Sequence, residues 1–227
     1  MMQCPKILET ELDPVELESD DEDESIEKLS KLFKKSKLTD ITIVVGKEEL
    51  HFSKYLLMEA STILTERLEQ SEDQSQLKLE DVEYDEVVFF LACLHPTKLL
   101  SVSDTILESV VEIAYEFKHV GVLKKCEEYI VRQFELRRET KDGMYPNFFF
   151  HLRVADRYGL SKALKAGLSS KTVKMAYYSH KSLGQNTKLE GYKDNEDFED
   201  LSLETQMEVF RIRLEKAEAM IDPNNPY

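Results

Sequence analysis

Five histidines (His51, His95, His119, His151 and His180) and three cysteines (Cys4, Cys93 and Cys126) are the side chains best suited to bind a metal or act as nucleophiles. None of them forms the close C-x2-C or H-x3-H type pairs from which zinc sites are usually built. His119 and Cys126 are seven apart, but a helix turn intervenes and Cys126 fits an apolar stripe. An odd number of widely spaced cysteines suits reduced thiols better than a disulfide framework. Ser179 and His180 are adjacent, without a third catalytic member or a strained elbow, and read as a surface loop. Walker, HExxH and GxSxG sequences are missing and the seven glycines stand singly, so no phosphate cradle is expected. Acidic residues are abundant enough to pair by chance, and a catalytic pair also needs a pocket that shifts its proton affinities. The chain is therefore expected to have no catalytic residue, no metal and no cofactor, and to act by binding.

The 227 residues include 45 acidic and 30 basic side chains, a formal charge of −15. Residues 1 to 25 hold ten Asp or Glu against one Lys, which leaves −6 for the rest. Nucleic-acid binding relies on Lys and Arg displacing counterions from phosphates, so this balance argues against it. The longest apolar run, Val87 to Leu94, has eight residues, and a helix needs roughly 20 to cross a bilayer. With no leader-like start and no prenylation cysteine at the end, a cytoplasmic or nuclear location is expected. Residues 1–24 are too acidic and too poor in aromatics to offset the entropy of ordering, and read as a disordered tail. Within it Ser19 precedes Asp20, Asp21, Glu22 and Asp23, a context suited to acid-directed kinases.

The elements that must supply a binding surface follow from periodicity. Ser25 can cap a short helix whose Ile26, Leu29, Leu32 and Phe33 share a face. A β-branched run, ITIVV, with a turn at 46–48, predicts a hairpin with its second strand at Glu49 to Phe52. Ser53 is expected to cap one helix carrying Leu56, Leu57, Ala60, Ile63, Leu64 and Leu68. A loop, EQSEDQSQ, then leads to a strand near Leu77 to Glu80 and a helix from about Asp85 to Leu94, broken at Pro96. Ser103 is expected to cap a helix bearing Ile106, Leu107, Val110, Val111, Ala114 and Phe117, and Gly121 to open a turn before a helix through Phe134. The polar stretch RRETKDGMYPN marks a boundary near residue 143. Beyond it, helices are expected at Phe148 to Tyr158 and within Ser161 to Lys174, followed by a long loop, HKSLGQNTKLEGYKDNED. A last helix, capped by Ser202, carries Met207, Phe210, Leu214 and Ala217 as a seam expected to pack inside the molecule, with a coiled coil as the alternative.

This order of elements, with the strings LTDITIVVGKEELHFSKYLLMEASTIL, LKLEDVEYDEVVFFLACLHP and VVEIAYEFKHVGVLKKCEEYI, resembles a BTB/POZ domain. The spaced residues Asp40, Lys54, Leu57, Ser61, Asp81, Val82, Ala114 and Cys126 match the family pattern in order. FFFHLRVADRYGLSKAL and the distant LSLET look like the BACK-type helical extension of divergent BTB and MATH-BTB proteins, without a MATH domain. The resemblance implies an α+β fold, a small β-sheet flanked by a cluster of helices, followed by an all-α extension. The implied boundaries are 1–24 for the tail, 25–137 for the BTB/POZ domain, 144–220 for the extension and 221–227 for a disordered end.

The resemblance further implies a homodimeric interaction module in which the leading helix and first strand of one subunit pack on the other. Ile26, Leu29, Leu32 and Phe33 are the matching interface residues, and Asp40 with Lys54 the matching charged pocket. Many such proteins present clients to cullin-3 ubiquitin ligases, and Leu64, Leu68 and His95 stand where the cullin-facing surface would lie. The sequence departs from that pattern at several points. EQSEDQSQ holds no clean hydrophobic-x-Glu signature, His95 replaces the usual Tyr before Pro, and Ser53 replaces the histidine that often precedes the basic pocket residue. A scaffold that dimerises without a cullin is the alternative. No client-selecting segment such as MATH, Kelch or a zinc finger is recognisable.

Overall fold

The computed structural model describes residues 22–59, 61–80, 82–95, 100–136, 147–170, 173 and 195–221. The chain divides into two compact units, Met1–Val122 and Leu123–Tyr227. Residues 1–21, the boundary stretch 137–146, most of the loop after Ser170 and residues 222–227 lie outside the described residues, and with them the readings made for the tail, Ser19, Ser179 and His180.

The first unit opens with α1 (Glu22–Ser30), which runs into a 3-10 turn (Lys31–Phe33). The helix starts before Ser25, so this serine lies inside it rather than at its cap, and residues 22–24 are helical rather than part of a structureless tail. Strands β1 (Ile41–Val45) and β2 (Glu48–Phe52) pair antiparallel from Ile41 opposite Phe52 to Val45 opposite Glu48. A two-residue turn joins them, with Gly46 at φ +60, a conformation a side chain would disfavour. Strand β3 (Gln76–Leu79) lies parallel to β1 on its other side, giving the order β2-β1-β3. A parallel partner needs a crossover, supplied by α2 (Lys54–Met58) and α3 (Thr62–Gln70).

Those two helices correct the expectation of one continuous helix after Ser53. The Ser53 side chain makes no cap bond. The chain leaves the helix near Ser61, whose hydroxyl accepts the Leu64 N–H at 3.0 Å to start α3 and donates to the Phe117 carbonyl. A long-range bond thus interrupts an otherwise unbroken apolar pattern.

Helix α4 (Tyr84–Leu94) is buried at every position from Val87 to Cys93, as expected of a helix enclosed by its neighbours. It begins one residue earlier than the spacing suggests because Glu83 and Glu86 form a reciprocal capping box. Helix α5 (Asp104–Glu116) packs on it through Ile106, Leu107, Val110, Val111, Ile113 and Ala114. Ser103 stands at its N-cap position in extended conformation, but its side chain makes no cap bond. The following turn is not at Gly121. The chain reverses at Lys118, with φ 47, and the Nδ1 of buried His119 accepts the Val122 N–H at 3.3 Å, so α6 (Val120–Leu136) already includes Gly121.

The second unit holds most of α6 with α7 (Phe148–Arg157), α8 (Ser161–Ser169), α9 (Glu196–Glu199) and α10 (Leu203–Ile221). Its core is aromatic: Phe134 meets Phe148 at 5.4 Å between ring centroids, and Phe149 meets Phe198 at 5.2 Å. A Cβ at Gly167 would come within 2.7 Å of Leu152 and 3.0 Å of Phe134, so this glycine lets α8 approach closely. Helix α9, which begins in the last two residues of the stretch expected to be a long loop, is anchored by buried Phe198 and by the 2.8 Å pair of Asp197 with Arg153. Ser202 does cap α10, accepting the Thr205 N–H at 3.3 Å.

The seam of α10 overturns the expectation of an internal contact. Met207 and Leu214 are each 61% exposed and Phe210 44%, while Thr205 and Val209 are buried. The side chain of Ala217 lies outside the described residues. The helix buries its less apolar side because Thr205 and Ser202 are tied to Asp156 on α7.

Candidate functional site

The leading helix and the approach to the first strand divide their apolar residues between two directions. Leu29 and Phe33 lie in the core of their own unit, with the Phe33 ring 5.9 Å from Phe52 and α1 packed on α4. Ile26 is half-buried, Leu32 is 53% exposed and Leu38, on the segment leading into β1, is 88% exposed. Of the four residues expected at a dimer interface, Leu29 and Phe33 are thus consumed internally and Ile26 and Leu32 remain at the surface. Leu38 joins them at the surface, and its isolation between Lys37 and Thr39 leaves no periodic signal by which sequence could have singled it out.

Asp40 and Lys54 come together through the main chain rather than as an ion pair. The Asp40 N–H donates to the Phe52 carbonyl at 3.1 Å, which sets its carboxylate at the end of β2. Oδ1 of Asp40 then accepts the Lys54 backbone N–H at 2.6 Å. That amide opens α2, so Asp40 performs the capping expected of Ser53 and brings a negative charge to a helix N-terminus, where it is favourable. The Lys54 ammonium reaches Gln74 Oε1 at 3.4 Å instead. Asp40 is exposed and Lys54 half-buried.

Leu64 and Leu68 are 1% and 0% exposed. Their side chains belong to the core, which corrects the expectation that they face a partner. The outward side of α3 carries Thr62, Glu66, Glu69 and Gln70. Arg67, at its edge, sits 5.2 Å over the Phe117 ring and 3.5 Å from Glu116. Such half-exposed contacts add little stability, so this side of the helix is polar and adaptable.

His95 ends α4. Its N–H donates to the Leu91 carbonyl at 3.0 Å and its ring stands edge-on to Phe52, 6.1 Å between centroids. Partial burial holds the imidazole below its ordinary proton affinity, because the charged form loses water contacts there. Thr42 and His51, opposite each other on β1 and β2, are linked by a 3.2 Å side-chain hydrogen bond.

Among the described residues no group of three His, Cys, Asp or Glu is placed to hold a metal ion, and no helix is long and apolar enough to cross a membrane. Cys93 and Cys126 are both buried.

No curated protein matches the chain. Among solved structures, the BTB (Tramtrack and Bric a brac) domain of human gigaxonin is similar, with 16% identity over 52% of this chain and 98% of that one and a TM-score of 0.36. The family model described as BTB/POZ domain matches residues 29–134, from α1 through α6. Residues 29–134, just under half of the chain, thus match the BTB/POZ domain family, whose role is protein interaction.

Proposed function

We propose that the chain is an adaptor that homodimerises through its BTB/POZ domain and brings a client protein to a cullin-3 type ubiquitin ligase. The observation that carries the dimer is the pair of exposed leucines, Leu32 and Leu38, on the segment joining the leading helix to the first strand. Large exposed apolar side chains are commonly covered by a partner, and this segment adjoins the leading helix and first strand, whose packing on a second subunit is what the resemblance implies. Asp40 and Lys54 lie beside it, with Asp40 holding the start of α2 in place. The proposed action is binding alone, in the cytoplasm or nucleus, without metal or cofactor.

Leu64 and Leu68 take no part in the proposed cullin contact, which falls to His95 and the outward side of α3. Calorimetric titration with a cullin-3 N-terminal segment tests this. Saturable binding that weakens at least tenfold in Glu66→Arg/Glu69→Arg supports the ligase role. The burial of Leu64 and Leu68 favours a second reading, a dimeric scaffold without a cullin, and absence of binding by the wild type would leave that reading standing.

A further inference from the structure

Among its described side chains, helix α10 presents four large apolar ones to solvent: Leu203 at 73% exposure, Met207 at 61%, Phe210 at 44% and Leu214 at 61%. Their spacings of four, three and four are those of a coiled-coil seam. Such a seam is narrower than the stripe a helix normally buries in its own domain. It extends over about 16 Å of helix and borders a trough of about 1110 Å³, walled on its other side by Leu164 and Leu168 of α8.

We propose that α10 is a second self-association surface, pairing antiparallel with α10 of another copy and settling into this trough. The pattern is self-complementary. The four exposed residues are arranged symmetrically about a point between Glu208 and Val209. A two-fold axis there sets Leu203 against Leu214 of the second copy and Met207 against its Phe210, so that each of these four residues is matched. Such isologous pairing is the commonest way for identical chains to associate.

Charge agrees with this orientation. Glu204 and Arg211 are seven residues apart and share one flank of the seam. The two-fold brings Glu204 of each copy toward Arg211 of the other, twice over, while Arg211 keeps Glu208 and Glu215 beside it on its own helix. In a parallel pair in register, Glu204 would stand level with Glu204. Antiparallel packing also opposes the two helix dipoles favourably.

The test uses the full chain. In light scattering at rising concentration, Met207→Glu/Leu214→Glu should halve the limiting mass while leaving the melting transition unchanged, since both side chains are exposed. Leu32→Glu should remove a separate association step, so the two readings are distinguishable. If the BTB/POZ dimer is wrong and this inference right, only the α10 variant lowers the mass. If the α10 variant keeps the wild-type mass, this inference falls, whatever Leu32→Glu does. Orientation is read from spin labels on Glu218→Cys in a Cys4→Ser background, Cys93 and Cys126 being buried. An antiparallel pair puts the labelled backbones about 30 Å apart and a parallel pair about 10 Å. The short distance would overturn the proposed pairing.

Discussion

Ser61 shows how much one hydroxyl can decide. It is 2% exposed, caps α3 through the Leu64 N–H and donates to the Phe117 carbonyl at the end of α5. Ser61→Ala removes the cap and strands a buried carbonyl, and is expected to lower stability by about 1–3 kcal/mol in chemical denaturation. A change below about 0.5 kcal/mol would show that the bond carries no net stability. His95 offers a test by pH. Its folded proton affinity is lowered by burial, so as pH falls through the unfolded value near 6.5 the unfolded chain takes up protons first. Stability should therefore be full above that value and decline on acidification toward the folded value. Comparing unfolding at pH 7.5 and 5.5, His95→Gln should show a smaller loss than the wild type. Equal losses would place the acid sensitivity elsewhere. Family resemblance made the Asp40–Lys54 neighbourhood legible. That the bond runs to a backbone amide was not, because a sequence pattern carries no information on which atoms of two residues meet.

Helices with full periodic faces were readable, since burial at 3.6-residue spacing leaves a strong trace. The α5 face is one such case. Val110 is 0% exposed, and Val110→Asp would bury an unpaired charge, so the first unit should lose its cooperative melting transition. An unchanged melting curve would contradict the helical phase. The split between α2 and α3 was hidden because Leu56, Leu57, Ile63, Leu64 and Leu68 keep helical spacing across a break imposed from Phe117. The outward seam of α10 was hidden for a related reason. Periodicity reveals that a helix has an apolar side, whereas the side turned inward is fixed by distant partners. Asp156 is that partner here. It accepts the Ser202 N–H at 2.6 Å and the Thr205 hydroxyl at 2.6 Å. Asp156→Ala should loosen the first turn of α10, seen as faster amide exchange at Thr205 and a stability loss of about 1–3 kcal/mol. Unaltered exchange there would mean that packing at Val209 alone fixes the helix.

For the whole molecule, the two units carry different kinds of surface. The first combines a small mixed sheet with enclosed helices and leaves Leu32 and Leu38 outside. The second is an aromatic helical cluster that leaves the α10 seam outside. Both sets of exposed residues suit association between copies, and the acidic excess of the chain keeps unpaired copies apart electrostatically at low salt. The most direct measurement is the mass of the full chain by light scattering across a wide concentration range. Self-association through the BTB/POZ domain predicts a mass of at least twice 26.4 kDa, lowered by Leu32→Glu. A mass of 26.4 kDa at every concentration, with Leu32→Glu indistinguishable from wild type, would contradict it.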